Sequence, residues 1–333
     1  MKGLTDIEGL RVGHASDFTG LTGCTVILCG AAGAVAGVDV RGSALGEREL
    51  ETLRVGHLVE RIHALVLAGG SAFGLEAAAG VMRYLEEQGI GFDTGVARVP
   101  IVPAAILFDL GIGDARRCPD ATMGYDAARR ATSDPVEEGS VGAGTGATVG
   151  KLFGIRQATK GGLGTATLEL VGGAKVSALA VVNAFGDVRN QTNGEIIAGA
   201  RLSETSAEFA DTVAQMKRGV ARKAFGSPAP PSAGPSAQPA TTLAVVATDA
   251  RFDRTGITKI AAMAQNGLAR AIAPVHTVFD GDVVFALSLG EKSADLNTVG
   301  TCAAEVVAEA IGRAVRQARS LGGVPAVSDW KKA

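Results

Sequence analysis

Short apolar runs recur along the chain: CTVILC (24–29), AVAGVDV (34–40), ALVLAGG (64–70), ALAVVNAFG (178–186), LAVVATDA (243–250) and VVFALSLG (283–290). Their length and their valine, isoleucine and alanine content predict strands at the centre of a sheet. Between them, apolar residues return at three- and four-residue spacing over Gly46 to His63, Ser71 to Gln88, Thr205 to Arg218, Ile257 to Ile272 and Thr301 to Ser320. That spacing predicts amphipathic helices, with Ser71 as a cap ahead of AFGLEAAAGVMRYLEEQG and Gly89 closing the segment. Strands interleaved with long helices imply a layered α/β domain, and no repeat of solenoid length is present.

One stretch breaks the pattern. Ser227 to Ala240, SPAPPSAGPSAQPA, holds five prolines and no side chain larger than glutamine. It has too little apolar area to offset its ordering entropy and is expected to be a mobile, exposed linker. A domain boundary is the simplest meaning, yet the VVATDA and VVFALSLG runs beyond it look like the centre of a sheet shared with the first part.

Composition narrows the function classes. The 333 residues are 47% hydrophobic and no run approaches the ~18 apolar residues of a membrane span, so a soluble protein is expected. The N-terminus MKGLTDIEGLRVGH lacks the apolar core of a secretory signal, which makes the cytoplasm the expected compartment. A net charge of −2 with dispersed Lys and Arg, and 4% aromatics, argue against nucleic-acid binding. The four cysteines (Cys24, Cys29, Cys118, Cys302) are too scattered for a disulfide framework or a zinc pair. The 46 glycines point to many tight turns and close backbone approaches.

Several chemical motifs fail on spacing. GSVGAGTGATVGK (139–151) has Thr145 where a phosphate loop needs glycine and Leu152 where it needs Ser or Thr, and a chain of tight turns describes it better. His57 and His63 are six apart, without a carboxylate or cysteine cluster, so no metal site is expected. GGSAFG (69–74) places Phe73 where a nucleophile elbow needs glycine.

Two features remain. Thr241 is the first residue after the linker and the first of a strand. If the chain were cut before it, a free α-amine with a pKa near 8 would sit on the residue carrying the hydroxyl and serve as its base. Without a cut, a threonine there is an ordinary β-former. Asp280 and Asp282 in FDGD precede VVFALSLG; at strand spacing both carboxylates face one side and suit holding an ammonium and a hydroxyl, while the alternative is a surface DG turn.

At these residues the chain resembles peptidase family S58, the β-aminopeptidase family, which includes L-aminopeptidase D-Ala-esterase/amidases and nylon-oligomer (6-aminohexanoate-oligomer) endohydrolases. The likeness runs through LTDIEGLRVGHA, AVAGVDVRGSALGERE, ALVLAGGSAFGLEAAAGVMRYLEE, VPIVPAAILFDL, VGAGTGA, KGGLGTA, LAVVNAFGDV, TTLAVVATDA and GLARAIAPVHTVFDGDVVFALSLG. The resemblance implies a four-layer αββα sandwich like that of N-terminal-nucleophile hydrolases. It also implies a single domain, 1–333, that cuts itself into an α chain, 1–240, with its tail at 227–240, and a β chain, 241–333.

By the same resemblance Thr241 is the nucleophile, Asp280 and Asp282 orient it, Lys151 lies near its amine, and the Asn183 amide faces the oxyanion. Substrate contacts are expected at Phe108, Gly70 and Ser71. The acidic pair matches the nylon-oligomer branch, since the aminopeptidase branch looks like Ser-x-Glu there. A small amide or peptide substrate is implied, with no cofactor, no metal and no membrane or nucleic-acid partner, in a homo-oligomer of tetramer size or larger.

The chain departs from the family pattern twice. Ala240 stands where Asn or Gly is usual before the cut; in a positive-φ conformation alanine would cost about 1 kcal/mol, slowing self-cleavage. Phe108 replaces a tyrosine and cannot donate a hydrogen bond. The alternatives are an acyltransferase resembling ornithine acetyltransferases, which also cut before threonine, and an unprocessed, non-catalytic homologue.

Overall fold

The computed structural model describes residues 3–221 and 239–330. The strands of its two main sheets are, in chain order, β1 (Arg11–Asp17), β2 (Thr22–Leu28), β3 (Ala34–Val40), β4 (Glu47–Arg48), β5 (Arg61–Ile62), β6 (Ala64–Ala68), β7 (Ala104–Ile106), β8 (Gly162–Glu169), β9 (Lys175–Asn183), β10 (Thr241–Ala250) and β11 (Val283–Lys292). One sheet runs β1-β2-β6-β7-β4 and the other β8-β9-β10-β11-β3-β5. Helices α1 (Ala77–Glu87) and α2 (Ala121–Arg129) cover the first; α3 (Arg254–Ala271) and α4 (Leu296–Gln317) cover the second. The result is the expected αββα stack.

Strand β10 shows why the apolar runs read as central strands. It pairs antiparallel with β9 and parallel with β11. Its alternate residues serve different cores: Leu243 and Val245 meet Ile27, Leu65 and Leu67 between the sheets, while Ala244 and Val246 join Ile257, Ile260 and Leu268 under the helices. Both faces are buried, so the sequence shows an unbroken apolar run where a half-exposed strand would alternate. The covering helices start cleanly, because Asp253 accepts from Gly256 N and Asp295 from Thr298 N, each satisfying a free helix-start donor.

Three expectations fail. Residues 46–63 are not one helix but a short 3-10 turn, Leu50–Leu53, between the edge strands β4 and β5. Glu49 is held at φ 56°, its carboxylate accepting from Val102 N, and Leu58 is 83% exposed, so the three- and four-residue spacing there does not mark a buried face. Ser71 does not cap a helix: it opens a 3-10 segment, Ser71–Glu76, at φ 55° after a left-handed Gly70. Of residues 205–218 only Thr212–Lys217 is helical. The buried Arg201 guanidinium draws the carbonyls of Glu204, Ser206, Ala158 and Arg156 to itself, which keeps the preceding segment out of a helix.

Nearly all of the expected mobile tail, 227–240, lies outside the described residues. Among the described residues no helix is long and apolar enough to cross a membrane, and no group of three or more His, Cys, Asp or Glu is placed to hold a metal ion.

Candidate active site

Because β10 lies at the centre of its sheet, its first residue is delivered to a point where several chain segments end. Thr241 is cross-strand from Asn183, the last residue of β9, and is 1% exposed. The preceding residue, Ala240, forms a parallel bridge with Asp280. Ala240 N donates to Phe279 O at 2.7 Å, and Gly281 N donates to Ala240 O at 2.8 Å. The Thr241 hydroxyl also donates to Ala240 O, at 2.6 Å. The carbonyl of the Ala240–Thr241 bond is thus polarised by a backbone N–H and faced by the hydroxyl of the next residue.

This arrangement corrects the expectation for Ala240. Among the described residues the non-glycine positions with positive φ are Leu21, Glu49, Ser71, Asp211 and His276, and Ala240 is not one of them. Its conformation is set by the two bonds to the 279–281 turn, so alanine carries no left-handed penalty.

The two aspartates belong to that turn, just before β11. Asp282 Oδ1 accepts from Thr242 N at 2.8 Å, while its Oδ2 accepts from His276 N at 3.1 Å and lies 2.9 Å from His276 Nδ1. Asp280 Oδ1 accepts from Phe185 N at 3.1 Å, and its Oδ2 from Thr277 N at 3.0 Å and Thr277 Oγ1 at 2.6 Å. Both carboxylates are 1% exposed. Burial, and next the negative charge of Asp282, push the Asp280 carboxyl up to about 6. Asp282 therefore reaches the strand one residue beyond Thr241, and Asp280 secures the turn itself.

Asn183 and Lys151 form the opposite wall. Lys151 Nζ, 1% exposed, donates to Asn183 Oδ1 at 2.7 Å and to Asn183 O at 2.9 Å. Thr148 N donates to the same Oδ1 at 3.0 Å. With its oxygen so engaged, the Asn183 side chain must present its NH₂, one hydrogen of which goes to Phe108 O at 3.0 Å. Lysine 151 reaches this point because the glycine-rich segment before it turns tightly. Gly150 has φ 73°, and a Cβ there would lie 1.9 Å from Ala200 N.

Phe108, Gly70 and Ser71 are tied together a short distance along the wall. Gly70 N donates to Asp109 Oδ1 at 2.7 Å and Ser71 N to Leu107 O at 3.0 Å. Of the three, only Phe108 bonds directly to a residue of the group around Thr241, through its carbonyl.

Sequence reasoning missed Gly281, His276 and Thr277. Gly281 contributes a backbone N–H that no residue letter announces; the clue was a glycine between two acids, where a Cβ would lie 2.8 Å from Ala44 O. The clue for the other two was a His-Thr pair just ahead of FDGD.

The model of "Peptidase family S58" matches residues 2–327. An uncharacterized aminopeptidase of Mycobacterium leprae is 38% identical over 98% of this chain and 93% of its own. A 6-aminohexanoate-oligomer endohydrolase of Kocuria sp. is 30% identical over 93% of this chain and 85% of its own. Among solved structures, a Burkholderia sp. beta-aminopeptidase superposes with a TM-score of 0.70 at 22% identity, covering 99% of this chain and 93% of that one. The L-aminopeptidase D-Ala-esterase/amidase of Ochrobactrum anthropi, described as a variant of the Ntn-hydrolase fold, gives 0.70 at 20% identity, over 97% and 88% of the two chains. The fold is that variant, and the chain belongs to peptidase family S58, as a hydrolase of amide bonds.

Proposed function

We propose that the protein is a self-processing N-terminal-threonine amide hydrolase that acts on short peptides, β-peptides or linear ω-amino-acid oligomers through an acyl-enzyme. The observation that carries this is the Ala240–Thr241 junction, where one carbonyl oxygen takes hydrogen bonds from both Gly281 N and Thr241 Oγ1. In the first reaction Thr241 Oγ attacks the Ala240 carbonyl carbon. Negative charge collects on Ala240 O against the Gly281 N–H, a preorganised donor of the kind worth about 3 kcal/mol in related sites. The C–N bond then breaks, the hydroxyl proton passes to the departing nitrogen, and water hydrolyses the resulting ester. The products are an α chain, 1–240, and a β chain, 241–333, that begins with a free amine.

In the second reaction that amine removes the Thr241 hydroxyl proton as Oγ attacks a substrate amide. The Gly281 N–H and the remaining Asn183 N–H hold the oxyanion. Asp282 fixes the start of the strand through Thr242 N, and Lys151 keeps the Asn183 amide turned inward. The protonated amine passes its proton to the leaving nitrogen, and water releases the acyl group.

Intact mass spectrometry of wild type and Thr241→Ala, with hydrolysis measured on aminoacyl anilides and 6-aminohexanoate oligomers, tests the proposal. Wild type should yield a fragment beginning TTLAVV and turn over an amide, whereas Thr241→Ala should stay whole and inert. A wild-type chain that remains intact would sink the proposal.

A further inference from the structure

Two buried ionisable groups beside the candidate site take no part in the chemistry proposed above. Asp109 is 4% exposed and follows Phe108, the residue whose carbonyl accepts from the Asn183 amide. Lys160 is wholly buried and stands cross-strand from Thr148, the residue whose N–H donates to Asn183 Oδ1. Each therefore adjoins one of the segments that grip the amide, Asp109 on its nitrogen side and Lys160 on its oxygen side.

Both groups are tied into the surrounding backbone. Asp109 Oδ1 accepts from Gly70 N at 2.7 Å, and its Oδ2 is closely wrapped: a Cβ on Gly69 would lie 2.1 Å from it and one on Gly146 2.6 Å. Gly146 follows Thr145, whose carbonyl accepts from Lys160 Nζ at 2.8 Å. The carboxylate and the ammonium thus converge on neighbouring residues, 145 and 146, just before Thr148. Their charges act on one another. Burial pushes the Asp109 carboxyl up and the Lys160 ammonium down, and each charge partly opposes the shift of the other.

A buried pair of opposite charges costs desolvation and adds little net stability, but removing one partner strands the other without compensation. What this pair joins is the two segments between which the Asn183 side chain is held. We propose that Asp109 and Lys160 are positioning residues for hydrolysis: acting as a pair, they hold segments 108–109 and 145–148 at the spacing that keeps one Asn183 N–H aimed at the substrate oxyanion. The inference rests on the proposed hydrolysis, in which that N–H is one of two oxyanion donors. It does not extend to self-cleavage, where the charge collects against the Gly281 N–H. Losing the pair therefore weakens the transition state for hydrolysis and leaves both substrate binding and the cut before Thr241 in place.

The test uses Asp109→Asn and Lys160→Met, each of which keeps the length of the side chain and removes its charge, together with the double variant. Self-cleavage is followed by intact mass, and kcat and KM are measured on one aminoacyl anilide. All three variants should cut themselves. Each single variant should lose kcat by about ten- to a hundredfold, because a displaced donor no longer meets the developing charge, with KM within about threefold of wild type. The double variant should lose no more than the poorer single one, since the two act as a unit and no buried charge is left uncompensated. Unchanged kcat in the single variants, a loss carried by KM, or losses that multiply in the double variant overturns the assignment. So does a failure of all three to cut under conditions where wild type cuts. In each of these cases wild type still cuts and hydrolyses, and the amidase proposal stands. A wild type that does neither overturns both.

Discussion

Lys160 is fully buried, and its ammonium donates to Thr145 O at 2.8 Å. Burial drives its pKa down from 10.5 to about 7, only partly opposed by the nearby Asp109. The gap corresponds to about 5 kcal/mol, at about 1.4 kcal/mol per pH unit. The sign is set by proton counting. Below pH 7 the lysine is charged in both folded and unfolded chains, and the folded state bears the full cost of the buried charge. Between about 7 and 10.5 the unfolded chain holds a proton that the folded one has released, so stability rises with pH by up to about 1.4 kcal/mol per unit.

Lys160→Met keeps the stem and removes the charge. Relative to this variant, the parent should gain about 2 kcal/mol between pH 7 and 8.5. The measurement is urea unfolding at half-unit steps of pH, in a Thr241→Ala background so that a single uncut chain unfolds. The two buried thiols, Cys24 and Cys29, whose pKa values burial pushes up to about 12, lose protons only in the unfolded chain toward the top of this window, and they do so equally in parent and variant, so they cancel from the difference. The window avoids His14, which burial lowers to about 4. Parallel stability curves for parent and variant would refute the assignment of a buried, proton-releasing Lys160.

Other outcomes follow from the site. Asp280 must be ionised to accept its three hydrogen bonds, so kcat/KM should fall as pH drops through about 6; Thr277→Val, by removing a donor that favours the carboxylate, should move that limb to higher pH. Gly150→Ala places a Cβ 1.9 Å from Ala200 N at φ 73° and should destabilise the fold by about 2 kcal/mol or more, read as a lower urea midpoint.

What the sequence disclosed depended on which physical quantity carried the information. Residues 243–247 and 283–287 were legible as central strands because burial on both faces demands an apolar residue at every step. The same logic misled at 46–63, where three- and four-residue spacing exists without a buried face to receive it. Thr241, Asp280, Asp282, Asn183 and Lys151 were legible because their side chains are distinctive and stand in blocks that resemble a known family. Gly281 was not, since its contribution is a backbone N–H and its lack of a side chain serves only the approach to Ala44.

The turn at 279–281 shows why the residue before Thr241 was misjudged. Ala240 was weighed by its own conformational preferences, yet both of its backbone polar groups are held from outside, by Phe279 O and Gly281 N. That turn is anchored in its place by Asp280, through Phe185 and Thr277. The geometry of the Ala240–Thr241 bond is thereby decided some forty residues away in sequence, and the side chain at 240 is left to answer a different demand, the size of the apolar cluster that surrounds it. An asparagine there would have to place its amide in the apolar cluster of Leu152, Phe185 and Ala200, at a cost in lost hydration. Alanine at 240 is accordingly matched in size to the apolar cluster around it.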